Sequence, residues 1–106
     1  VELEELFVPI PHWEPYAVSN YGRVIDLVGE YELNQRPNKF TGRMEVRLRY
    51  FGAYGDHYVD ELVTEAFFVN YRHGIPIFYK NGNKSDCTVL NLSFDPKYGE
   101  ENARTV

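Results

Sequence analysis

Residues 43–50, RMEVRLRY, alternate without exception: Met44, Val46, Leu48 and Tyr50 fall on one side, Arg43, Glu45, Arg47 and Arg49 on the other. A period of two is the signature of a strand, whose successive side chains point to opposite faces. One face must pack and the other is basic. That basic face either meets water, as in any half-buried antiparallel strand, or meets a polyanion.

The rest of the chain builds around this strand. FGAYGDHYVD turns and returns as a second strand, and DELVTEAFF then has the spacing of an amphipathic helix with Leu62, Val63, Ala66 and Phe67 inward. Asp60 is placed to be its N-cap. Upstream, WEPYAVSNYGRVIDL predicts a hairpin: Tyr16 and Val18, a turn at Asn20-Tyr21-Gly22, then Val24 and Ile25. Downstream, Pro76 to Lys80 reads as a short strand and Asn81-Gly82-Asn83 as a tight turn. Lys84 to Asn91 reads as a helical turn that Asp86 could cap, followed by Leu92-Ser93-Phe94, and YGEENARTV as the start of another helix. No internal repeat interrupts this order. The expectation is a single α+β domain, residues 1–106, of short antiparallel hairpins and short helices.

Charge narrows the function. The net charge of −5 works against indiscriminate adhesion to a polyanion, but it is segregated. Between Arg36 and Arg49 the cations Arg36, Lys39, Arg43, Arg47 and Arg49 face only Glu45, whereas the N-terminus and residues 56–65 are acidic. Cys87 is the single cysteine, and His12, His57 and His73 lack the short spacings of metal sites, so no metal or other cofactor is expected. VELEELF has neither the basic start nor the apolar run of a signal peptide, and no stretch could span a bilayer, so a cytoplasmic location is expected. Nine tyrosines are too many for so small a core. Exposed, they serve protein interfaces or stack on bases.

Three segments in order resemble one family. WEPYAVSNYGRVIDL, residues 13–27, is similar to a nuclease-associated modular motif through Trp13, Tyr16, Val18, Ser19, Asn20, Gly22, Arg23 and Val24. YVDELVTEAFF resembles the stretch in which a histidine precedes Arg-Leu-Val and the helix ends in Ala-Phe. FYKNGNKSDCTVLNLSF with EENARTV resembles the catalytic portion of the HNH homing endonucleases of phages and mobile introns. The resemblance implies an HNH-like region over residues 43–106, of the ββα-metal type, and encoding by a phage or another mobile element.

It also shows what is missing. In that family a histidine is the general base on water, and an acidic or amide residue with a later asparagine holds a divalent cation. At the matching positions stand Asp60 for the first histidine, Phe78 for the metal-binding residue, Tyr79 for the catalytic histidine and Thr105 for the last, with Asn102 retained. Phe78 has no ligand atom, and an unperturbed tyrosine is a poor base at neutral pH. A tyrosine nucleophile, with Lys80, Lys84 and Arg104 as its cationic clamp, is the remote alternative. The resemblance therefore implies a degenerate, catalytically inactive site on a retained binding surface.

Two functions follow from these residues. One is a DNA-binding accessory or regulatory module using Arg23, Arg36, Lys39, Arg43, Arg47 and Arg49. The other is a protein-binding inhibitor or adaptor of a host or phage protein, using an aromatic surface at Phe78 and Tyr79. Residual metal-dependent nuclease activity is a lesser third. A continuous basic stripe along the arginine strand favours DNA, and interruption by Glu30, Glu32 and Asp56 favours protein.

Overall fold

The computed structural model describes residues 3–99. Among the described residues, three small antiparallel sheets surround the helix that follows the second of them. The first is a meander in the order β1 (Phe7–Pro9), β2 (Tyr16–Ser19), β3 (Val24–Asp26), β4 (Tyr31–Glu32). The second runs β5 (Arg36–Pro37), β6 (Met44–Tyr50), β7 (Ala53–Tyr58), and leads directly into α1 (Val59–Phe67). β8 (Phe78–Tyr79) and β9 (Leu92–Ser93) form the third.

The alternation in β6 does what it predicts: Val46 and Leu48 are fully buried, while Arg47 and Arg49 are exposed. β6 pairs with β7 from Glu45 opposite Tyr58 to Tyr50 opposite Ala53. α1 closes over the apolar side, placing Val59, Leu62 and Val63 with Val18, Val24, Val46 and Leu48 in one core. Each such aliphatic side chain contributes about 1.5–3 kcal/mol by leaving water.

The predicted N-terminal hairpin is present and its polar motif explains itself. Ser19 Oγ accepts from the backbone N–H groups of Tyr21 and Arg23, both at 3.1 Å, and so closes the turn. Asn20 Oδ1 accepts from Leu6 N at 2.9 Å, and its amide donates to the Glu4 carbonyl at 2.9 Å, fixing the incoming chain. Its own carbonyl accepts from Val89 N at 2.8 Å. Gly22 has φ +83°, and a Cβ there would meet the Cys87 side chain at 2.9 Å. Valine-serine-asparagine and glycine are thus fittings that join the front of the chain to its back.

Three expectations need correcting. Tyr58, not Asp60, is the N-cap of α1, and no side chain caps it; Asp60 lies in the first turn and is buried. The pull is tertiary, because its carboxylate has cross-chain partners described below. The segment 84–91 is not a continuous helical turn: only Val89–Asn91 forms a 3₁₀ turn, preceded by side-chain-to-backbone turns. Asn83 and Asp86 offer the backbone local partners that compete with helix. Asp86 accordingly accepts from Thr88 N and from the Asn81 amide instead of capping a helix. Of the predicted C-terminal helix, residues 97–99 are helical, and the rest of that segment lies outside the described residues.

Candidate functional site

The positions where the family resemblance puts catalytic groups can be followed individually. β8 pairs with β9 so that Tyr79 lies opposite Leu92, which turns the Tyr79 ring into the core at 6% exposure. Asn91 secures this unit, accepting from Asn81 N at 3.0 Å and donating to the Asp86 carbonyl at 2.9 Å. From there the Tyr79 hydroxyl donates to Oδ2 of Asp60. The two positions that would hold histidines, Asp60 and Tyr79, are bonded to each other.

Arg43 completes the cluster. Its Nη2 donates to Asp60 Oδ1 at 2.6 Å and its Nε to Oδ2 at 2.8 Å, a two-pronged grip, and Nη2 also reaches Glu61 at 3.1 Å. The guanidinium lies 3.7 Å from the Tyr58 ring centroid. Such a planar, charge-assisted pairing is among the strong hydrogen-bond arrangements. Burial disfavours the charge on Arg43, but Asp60 and Glu61 outweigh it and keep the guanidinium firmly protonated. Burial first, and then Asp60, hold the Tyr79 hydroxyl well above the usual tyrosine range. Burial, followed by the Asp60 charge, pushes the adjacent Cys87 thiol up to about 12.

This donor set does not fit a hard divalent cation. Phe78 offers no ligand atom, both Asp60 oxygens are engaged by Arg43 and Tyr79, and the neighbouring charge is positive. Among the described residues no group of three or more His, Cys, Asp or Glu side chains could hold a metal ion. Asn102, Arg104 and Thr105 lie outside the described residues. A Tyr79 nucleophile also has no support, since its hydroxyl is buried and donates to a carboxylate. Nor does Tyr79 present the surface expected of a protein interface; Phe78, half-buried, packs at Gly99.

The other cations lie elsewhere. Arg36, Arg47 and Arg49 stand on the solvent side of the second sheet. Asp56 interrupts them: its Oδ1 is 3.1 Å from Arg36 and 3.0 Å from Arg47. The Arg47 guanidinium, helped by Arg36, holds Asp56 below the usual carboxylate range. Arg49 donates to the Tyr54 hydroxyl at 2.6 Å and has its charge over that ring, 4.9 Å from the centroid. Arg23 is bound by Glu5 at 2.6 Å and Glu32 at 3.1 Å, and Lys39 is exposed.

Sequence reasoning missed two features. The role of Asp60 was within reach, because Asp60 and Tyr79 are chemically complementary replacements at two linked family positions. The histidines, far apart in sequence, line one cleft of about 250 Å³ with Trp13, Glu61 and Tyr71. Trp13 packs edge-on against His57, with centroids 4.6 Å apart, and burial lowers the His57 pKa.

Comparison with known proteins bears on the motif and the fold. Residues 5–49 match the NUMOD4 motif, a range that contains the 13–27 segment. The structure is similar to a solved chain described under "DNA binding and cleavage by the HNH homing endonuclease I-HmuI", with a TM-score of 0.79 and 27% sequence identity. The match covers 94% of this chain and 58% of that one, so this chain spans little more than half of the endonuclease's length. No curated protein matches the sequence. A small α+β fold with short antiparallel sheets, shared with an HNH nuclease, defines the class. With its NUMOD4 motif in front, the chain is similar to the HNH homing endonucleases in motif and in fold, and the two likenesses together support assignment to that family.

Proposed function

We propose that this chain is a DNA-binding accessory or regulatory module of HNH type that does not cut DNA by the family's metal and histidine chemistry. The observation that carries the reading is the Arg43–Asp60–Tyr79 cluster. It fills the two histidine positions with a donor and an acceptor that satisfy one another, leaving neither a base for water nor a ligand for a cation.

Binding falls to the cations left outside the cluster. Arg47 and Arg49 line the exposed side of the β6–β7 ribbon and Arg36 stands beside them on β5, with Arg23 and Lys39 as further contributors. A two-stranded ribbon has the dimensions to enter a major groove. The exposed ion pairs of Arg36 and Arg47 with Asp56 are weak in water and exchange readily for phosphate oxygens. Arg43 is different: its partner Asp60 is fully buried, so it is a structural cation rather than a phosphate contact.

Replacing Arg36, Arg47 and Arg49 together by alanine tests this. Each phosphate contact contributes about −0.9 to the slope of log K against log salt, so the slope flattens by about 2.7 and binding weakens for every sequence. An unchanged slope removes the ribbon from the interface. A second reading, a protein-binding inhibitor or adaptor, is favoured by the cleft that joins Trp13 and Tyr71 to Glu61. Under it, Trp13→Ala loses partner capture and the arginine variant does not.

A further inference from the structure

DNA binding leaves one strand edge and the cleft beside it without a role. β7 is the outer strand of the second sheet, paired with β6 along its whole length. An outer edge presents the N–H and C=O groups of alternate residues. Among the described residues, the backbone of residues 53–57 makes no hydrogen bond beyond the sheet. The strand, AYGDHY, also has neither the proline nor the lysine that commonly guards such an edge. It is a template for one more strand.

The end of β7 meets the cleft of about 250 Å³, whose walls include His57, Tyr58, Glu61, Glu65 and Tyr71. Glu61 and Glu65 are four residues apart on α1 and so share one face of it. Arg43 reaches Glu61, but Asp60 already matches its charge, so Asp60, Glu61 and Glu65 stand against a single cation. Arg72, the next cation along the chain, is exposed and does not line the cleft. His57 brings no positive charge at neutral pH, because burial lowers its pKa. Burial, followed by the charges of Glu65 and Glu61, raises the pKa of Tyr71, whose hydroxyl feels both carboxylates. Rings and uncompensated carboxylates around one opening are the surroundings that hold an arginine side chain, through cation–π attraction and charge-assisted hydrogen bonds.

We propose that β7 and this cleft are a docking site for an extended basic segment of another protein. The segment adds a strand to β7, and one of its arginines enters the cleft beside Tyr71 and the carboxylates of Glu61 and Glu65. A polypeptide supplies both parts, a ladder of N–H and C=O groups and a cation on a long side chain. Its main chain gives affinity, and the cleft gives the preference for arginine. This docking rests on the protein-binding reading, for which it names the partner's chemistry. It is independent of DNA binding, which uses other residues and the opposite charge.

Amide NMR of the isotope-labelled protein, titrated with short Thr/Val peptides at near-physiological salt, tests it. A peptide with one central arginine should shift the amides of β7, Glu61, Glu65 and Tyr71. The same peptide with glutamine in place of the arginine should bind more weakly by on the order of 10-fold. Glu65→Gln, at an exposed position, should remove that preference. Glu30→Gln, the same charge change on the exposed turn between β3 and β4, should keep it. Methylating every second backbone nitrogen of the peptide, in one of the two registers, should abolish binding. Equal binding of the two peptides, or loss of the preference in both glutamate variants, overturns the arginine site. Binding that survives methylation in both registers overturns strand addition, and an arginine amide that binds as tightly as the peptide replaces the polypeptide by a small cation. The same shifts on concentrating the protein alone would make the occupant a second copy of this chain and overturn the foreign partner. No shift with any peptide overturns the protein-binding reading as well and leaves DNA binding intact.

Discussion

Tyr79→Phe removes one oxygen and leaves the ring that packs in the core. The lost hydroxyl donates to the buried, charged carboxylate of Asp60. Hydrogen bonds to charged groups contribute about 1.5–3 kcal/mol. Arg43 continues to hold both Asp60 oxygens, at 2.6 and 2.8 Å, so Asp60 does not become an unpaired buried charge. The expected cost is therefore near the lower part of that range, roughly 2 kcal/mol, or a fall in Tm of about 10 °C for a domain of this size. Asp60→Ala should cost more, about 3–5 kcal/mol, because it strands Arg43 as well. Urea unfolding followed through the fluorescence of the single tryptophan, Trp13, measures both. Combined, the two changes should be less than additive, with a coupling of about 0.5–3 kcal/mol. A Tyr79→Phe protein within about 0.5 kcal/mol of wild type, or strict additivity, would refute the view that the vacated catalytic positions have become a stabilising cluster.

Other outcomes follow from the same geometry. Asp56→Asn, by removing the carboxylate between Arg36 and Arg47, should tighten duplex binding and steepen its salt dependence, as read by fluorescence anisotropy. Gly22→Ala should destabilise the domain by about 1–3 kcal/mol through the positive φ alone, with the Cys87 collision adding to it, in the same urea assay. Alkali should destabilise the fold partly through Cys87. Its folded pKa is raised to about 12. Its stabilising contribution is therefore complete below the unfolded thiol value near ~8.5 and declines by about 1.4 kcal/mol per pH unit as pH rises toward the folded value. Cys87→Ala should flatten the stability profile between about pH 8.5 and 10, before tyrosines titrate; an unaltered slope there would contradict the assignment.

The parts of the fold legible in the sequence were those with a long enough period. β6 carries seven residues of alternation and α1 two turns of amphipathic spacing, and both appear within a residue or so of their predicted bounds. β4, β5 and β8 have two residues each, too few to show any period, and they exist because neighbouring strands offer them hydrogen bonds. Lys84 to Asn91 misled because Asn83 and Asp86 supply local turns that a periodicity argument does not weigh. The site was legible as a set of substitutions but not as a structure. Asp60 looks like a capping residue to any local rule, since its partners are 17 and 19 residues away in sequence. The basic strand was visible, whereas its interruption required the cross-strand pairing of Arg47 with Asp56.

The most direct test of a DNA binder without the family's cleavage chemistry combines both properties in one titration. Supercoiled plasmid is incubated with the protein, with and without Mg²⁺ or Mn²⁺, from about 50 to about 200 mM salt, and retardation and nicking are scored on the same samples. We expect retardation that weakens steeply with salt, and plasmid that stays supercoiled under saturating protein with either metal. Metal-dependent nicking that Arg43→Ala or Tyr79→Phe abolishes would contradict the assignment of that cluster to structure, and absence of retardation at the lowest salt would contradict DNA binding itself.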